Sequence, residues 1–263
     1  ISSTDLGALQ DGTTYTITAD VSDVAGNTAQ SSTTFTVDIT PPSIDTVVPS
    51  WGTTLNSAES LNNGSVTVNT SSVDNQTFTI SLNGIEYTQT ATTNSALFTI
   101  SSTDLGALQD GTTYTITADV SDVAGNQAPQ NSTTFTVDKT SPSISITLDW
   151  GDTLNSAESG NNQIVTVNTT GVEDNQTVTI SLNGIEYTET ATTNSALFTI
   201  PQGALGALQD GITYNITADV SDVAGNSALQ ASTTFTVDRT PPSIDTVVPS
   251  WGTTLNKNLS LIH

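Results

Sequence analysis

Cysteine is absent from the 263 residues, and basic residues nearly so. Without thiols there is no disulfide and no thiolate metal site, and the redox compartment is left open. Three Lys plus Arg stand against 26 Asp plus Glu, a formal net charge of −23. A surface of that sign repels nucleic acid and anionic lipid and favours positively charged partners, divalent cations above all. The single histidine is His263, so neither a Ser-His-Asp triad nor a His-containing zinc site can be assembled, and no enzyme is expected. Paired carboxylates can hydrolyse glycosides, but nothing in the pattern suggests an aromatic-lined cleft to hold a sugar. A Lys-to-Asn isopeptide crosslink needs a buried lysine, whereas Lys139, Arg239 and Lys257 lie in or near junctions. No apolar run reaches the ~18 residues of a membrane span, so no direct membrane insertion is expected. No basic-then-apolar leader opens the chain, and Ile1 is not a start-codon residue, so a signal or anchor outside these residues is left open.

What the chain does have is self-similarity. The segment 110–137, DGTTYTITADVSDVAGNQAPQNSTTFTV, returns in closely similar form at 11–37 and at 210–237. Tyr15, Tyr114 and Tyr214 mark one point of the unit, and Trp51, Trp150 and Trp251 another, giving a period of about 100 residues. Residues 39–138 and 139–238 form two complete copies. Residues 1–38 match only the last third of a unit and 239–263 only the first quarter, so together they still lack the part represented by 65–99. The last seven residues, from Lys257, leave the pattern where Ser-Ala-Glu-Ser is expected.

Within a copy, short segments alternate apolar and polar residues, the mark of strands buried on one face. In the first full copy they fall at 44–48, 66–69, 77–82, 85–88, 96–100, 113–120 and 133–137. Asn83-Gly84 is a two-residue hairpin signal, because both residues accept the positive φ of a type I′ turn. The alternation points Tyr114, Ile116, Ala118 and Val120 inward, facing Phe78, Ile80 and Leu82, with Phe135 and Val137 from the last strand. Seven strands and no helical period predict an all-β chain of tandem immunoglobulin-like seven-stranded β-sandwiches arranged end to end.

The pattern DG-T-x-Y-x-ITADVSDVAGN followed by TTFTVD-x-T-x-PSI resembles the bacterial Ig-like repeats of giant type I-secreted surface adhesins, including RTX and biofilm-associated adhesins. The resemblance runs over essentially the whole chain. It implies an extracellular, cell-surface location and a tandem spacer that holds a distal binding domain away from the cell. Calcium ions stiffening the joints between repeats are part of that implication.

Sandwich topology points to calcium independently. Alternate loops fall at opposite ends of a sandwich. The loops 70–76, 92–95 and 121–130 therefore share the end where a copy begins, while 49–64, 83–84 and 101–112 share the end where it leaves. Between the full copies this gathers Glu59, Asp104 and Asp110 from one side, Asp138 from the linker, and Asp174, Asp222 and Asn226 from the other. Calcium takes six to eight oxygen ligands, which Asp, Asn and loop carbonyls supply. The candidate ligands are the linker residues Asp38, Asp138 and Asp238, the loop pairs Asp23 and Asn27, Asp122 and Asn126, and Asp222 and Asn226, together with Asp74, Asp110 and Asp174. Asp-x-x-Gly-Asn is equally good turn chemistry, with Asp capping the turn and Gly-Asn accepting left-handed backbone. No EF-hand spacing decides between the two.

Neighbouring repeats of the same chain are the expected partners. Two further classes remain. Outward Thr rows such as Thr14, Thr16 and Thr18, or an exposed Trp, would suit a module binding glycan, ice or protein. The incomplete ends would suit self-association into a fibre or surface layer. Thr is also simply a good strand former, and a Trp beside a sandwich end more often caps the core.

Overall fold

In a computed structural model, residues 1–71, 73 and 75–254 are described. The alternating segments form strands throughout. The first compact unit comprises Ile1–Ser141 together with Ser221–Ser227. It opens with α1 (Ser3–Gly7) and the hairpin β1 (Thr14–Ser22) and β2 (Thr28–Thr36). Next come β3 (Ser43–Pro49), β4 (Thr54–Asn56), α2 (Ser57–Ser60), β5 (Gly64–Ser71), β6 (Thr77–Leu82), β7 (Ile85–Thr90) and β8 (Ser95–Ile100). It continues through α3 (Ser102–Ala107), β9 (Thr113–Asp119) and β10 (Asn131–Asp138).

A three-stranded sheet, β3-β5-β8, and a five-stranded sheet, β4-β10-β9-β6-β7, make the sandwich. Their inner residues share one buried cluster, in which Val66, Phe78, Ile80, Ile100, Ile116 and Val137 are wholly enclosed. Each such side chain contributes roughly 1.5–3 kcal/mol on transfer from water. Asn83 and Gly84 turn β6 into β7 at φ +50° and +79°, as the Asn-Gly pair predicts. The Tyr114 hydroxyl accepts the Gln109 N–H at 3.0 Å, a tie from strand to preceding loop that Tyr15 and Tyr214 repeat.

The second unit comprises Pro142–Val220 and the chain from Ala228 onward. Its elements are β11 (Ser143–Leu148), β12 (Thr153–Leu154), α4 (Ser156–Ser159), β13 (Gln163–Thr170), β14 (Thr177–Leu182), β15 (Ile185–Thr190), β16 (Ser195–Ile200), α5 (Gln202–Gly206), β17 (Thr213–Asp219) and β18 (Ala231–Val237). They pair in the same orders, β11-β13-β16 and β12-β18-β17-β14-β15. The chain is thus all-β, built of tandem immunoglobulin-like sandwiches.

Three features depart from the seven-strand reading. An eighth strand, β4, pairs parallel with β10 over Thr54–Asn56, and β12 does the same with β18. Single-turn helices interrupt two loops, where no helical pattern is legible. The first, α2, forms because Asn56 and Glu59 cap each other: the Asn56 side chain accepts the Glu59 N–H at 2.9 Å and Glu59 accepts the Asn56 N–H at 3.0 Å. In α3 the Ser101 hydroxyl accepts the Asp104 N–H at 3.1 Å. Finally, β3 carries a register shift between Ile44 and Thr46 that β11 lacks. The sequence contains the cause, since Ser43 to Trp51 is one residue longer than Ser143 to Trp150.

Trp51 and Trp150 are buried, meeting Phe135 and Phe235 edge-on at 5.2 Å. They belong to the cores and present no aromatic platform to a ligand.

Candidate linker and metal site

The linkers are fastened by the same device three times. Asp11, Asp110 and Asp210 each precede a glycine with positive φ. Each glycine N–H donates to the last strand, at Val37 O, Val137 O and Val237 O. That turn aims the carboxylate at the linker. Asp110 accepts the Lys139 N–H at 2.6 Å and the Thr140 hydroxyl at 2.5 Å. Asp11 accepts from Ile39 and Thr40, and Asp210 from Arg239 and Thr240. The Thr40 hydroxyl and the Ile39 N–H hold Asp11 below the usual carboxylate range, and Thr140 with Lys139 does the same for Asp110. For Asp210 the Arg239 N–H leads and the Thr240 hydroxyl follows.

Two of the three basic residues add a second fastening. Lys139 Nζ donates to Leu105 O, Gly106 O and Leu108 O at 3.3, 3.0 and 2.8 Å. Arg239 donates to Leu205 O and Gly206 O in its own unit. Both cations therefore cap the carbonyl end of a short helix next to the linker, where such charge is favoured.

The Asp-x-x-Gly-Asn loops are closed by their own side chains. Asp122 Oδ1 and Oδ2 accept from Asn126 N and Nδ2 at 2.8 and 2.9 Å, and the other two copies match. Asn27 holds Asp23 below the carboxylate range; for Asp122, desolvation pushes upward but Asn126 outweighs it. The same amide reaches the linker, as Asn126 Nδ2 donates to Asp38 O and Asn226 Nδ2 to Asp138 O, each at 3.0 Å. Within the first unit Asn226 also accepts the Ser57 N–H at 2.8 Å, and Asn56 Nδ2 donates to Ala224 O at 3.0 Å.

The remaining candidates have local tasks. Asp38 and Asp238 accept from Thr40 N and Thr240 N, two residues on. Asp174 accepts the Thr193 N–H at 2.7 Å. Glu59 caps α2, and Asp104 accepts from Ser101 and from the Tyr87 hydroxyl. Asp74 lies outside the described residues. Among the described residues no three His, Cys, Asp or Glu side chains cluster as a metal-binding group. Asp38 and Asp122 do line one cleft with Thr40, Ser43 and Ser71. Those donors are all hard oxygen, which fits calcium and not a transition metal. With two carboxylates the fit is to a weakly held ion.

The roles of Asp11 and Asp210, and of Asn56 and Ser57, were not read from sequence. The available signals were the joint recurrence of D-G with D-x-T and the repeated N-S-A-E-S capping box.

Residues 41–139 match the family described as bacterial Ig-like domain, and residues 6–44 match bacterial Ig-like domain (group 3). The chain belongs to the bacterial Ig-like domains. Its second full copy shares TADVSDVAGN and STTFTVD with the matched stretch. No curated protein matches. Among solved structures, one concerns host cell surface retention of a 1.5-MDa bacterial ice-binding adhesin. It is 21% identical with a TM-score of 0.50, and the match covers 91% of this chain and 79% of that one. A Ca2+-stabilized adhesin of an Antarctic bacterium is 27% identical with a TM-score of 0.48, over 86% of this chain. This chain spans 57% of that structure's length. A bacterial immunoglobulin-like domain of the M. primoryensis ice-binding adhesin is 24% identical with a TM-score of 0.30, over 36% of this chain and 96% of that one.

Proposed function

We propose that this chain is an extender segment of an extracellular bacterial surface adhesin, in which the copies 39–138 and 139–238 are spacer units. Calcium ions at the joints make the segment rigid, and adjacent copies are each other's partners. The observation that carries the reading is the uniformity of the linkers. All three use an Asp carboxylate to hold the residue after Asp38, Asp138 or Asp238 and the Thr beyond it. The sheets, by contrast, present Thr and Ser outward and bury ordinary apolar residues.

The calcium part brings to this chain what is named for the Antarctic adhesin. It is supported by the oxygen-lined cleft of Asp38 and Asp122 and by the excess of negative charge. A divalent ion there would offset carboxylate repulsion, with the affinity of about 10⁻⁴–10⁻³ M usual for extracellular modules. Asp38, Asp122 and the nearby hydroxyls would hold it. Small-angle scattering and thermal unfolding, each with millimolar calcium and with chelator, test the proposal. Calcium is expected to raise both the maximum dimension and the melting temperature. Identical curves in the two conditions would reject it.

A further inference from the structure

The three D-V-A-G-N loops are identical in sequence and unequal in surroundings. Asp23 and Asn27 are exposed. Asp122 and Asn126 are half-buried, and Asn126 Nδ2 donates to the linker carbonyl of Asp38. Asp222 and Asn226 are each 4% exposed. The difference lies in α2. The Asn226 amide is used on both sides, with Nδ2 donating to Asp138 O and to Asp222 Oδ2 at 3.0 Å while Oδ1 accepts the Ser57 N–H. Asn56 is used on both sides as well, its oxygen capping Glu59 N and its nitrogen donating to Ala224 O. Gly225 is required where it stands, because its φ is +89° and a Cβ would lie 3.3 Å from Asn56 Nδ2. Asn56 and Ser57 are half-buried, whereas Asn155 and Ser156, their counterparts at α4, are exposed.

We propose that the D-x-x-G-N loop is a docking element for the N-S-A-E-S turn of another copy of the repeat. The paired amides of Asn226 and Asn56 then hold two copies together without a bound cation. The partner is defined chemically as an Asn whose oxygen is occupied as a helix cap and whose nitrogen is free to donate, followed by a residue that presents its backbone N–H. Asn155-Ser156 is a second face of this kind, shaped for the same loop of a further copy. This goes beyond the calcium reading and stands or falls separately from it.

Amide hydrogen exchange on the intact chain in chelator provides the test. The Ser57 N–H of the wild-type chain is expected to be protected without calcium. Asn226→Ala should speed its exchange roughly five- to tenfold, the change expected for a net hydrogen bond of about 1 kcal/mol. The Glu59 N–H, capped within α2, reports that the turn survives. Should Asn226→Ala disturb the loop as a whole, Ser57→Pro removes only the donor. Proline suits the first helical position, and Asn56 already has the extended backbone (φ −88°, ψ 176°) that a following proline demands. In that variant the Asn226 side-chain amide should lose protection. Ser57 protection that appears only with calcium, or that neither variant changes, would overturn the proposal. Absence of a scattering response to calcium would remove the calcium reading and leave this one intact.

Discussion

Asp110 draws its low pKa from the Thr140 hydroxyl and the Lys139 N–H, contacts that exist only in the folded chain. A depressed carboxylate adds stability that is fully present above its unfolded value, about 3.9, and is lost as pH falls through the folded value. Carboxyl NMR titration is therefore expected to place Asp11, Asp110 and Asp210 below ordinary aspartate, and Asp110→Asn should flatten the fall in stability below about pH 4. Tyr87 makes the opposite case. Burial and the Asp104 carboxylate push its hydroxyl up to about 12. Tyr187 stands at the same point in the second copy, where Ala204 replaces Asp104. Spectrophotometric titration of Asp104→Ala should lower the Tyr87 value by the part the carboxylate supplies, with burial still holding it up. In the unaltered chain the stability tied to the raised value should be lost as pH climbs through about 12. Sequence recurrence marks Asp110, Asp122 and Asp138 as constant positions of the unit. Their partners stay hidden, because Thr140 is thirty positions from Asp110 and only the closed sandwich brings them together.

Elements differ in legibility for a reason of length. A strand such as β9 alternates long enough for its buried face to be read, and Ile116, Ala118, Phe135 and Val137 are enclosed as the alternation predicts. β4 has three residues and α2 four, less than the periods needed to recognise them. The irregularity in β3 shows how one inserted residue is accommodated. Asn131 Nδ2 donates to Ile44 O at 2.8 Å there, while Ala231 takes its place in the copy whose first strand is regular. Chemical denaturation of Asn131→Ala should show a loss of about 1–2 kcal/mol from an unsatisfied carbonyl, with Ala231→Asn close to neutral. Trp51→Ala should cost about 3–5 kcal/mol by opening a cavity against Phe135.

At the scale of the whole molecule, a charge of −23 on 263 residues sets a background of self-repulsion. Raising sodium chloride from about 0.01 to 0.15 M shortens the Debye length from ~30 to ~8 Å and should raise the melting temperature. Calcium at matched ionic strength should raise it further if an ion is bound, which separates a site from simple screening. The parallel pairing of β4 with β10 carries a further consequence. The Thr136 N–H donates to Thr53 O, and β12 with β18 repeats the arrangement through Thr236 and Asp152. A pull that enters by the first strands of a copy and leaves by its last draws these two strands past each other lengthwise. Their hydrogen bonds are then loaded in shear and break together, unlike a hairpin peeled open one bond at a time. In single-molecule stretching each sandwich should therefore yield as a discrete high-force event, and the β1-β2 hairpin should open at much lower tension.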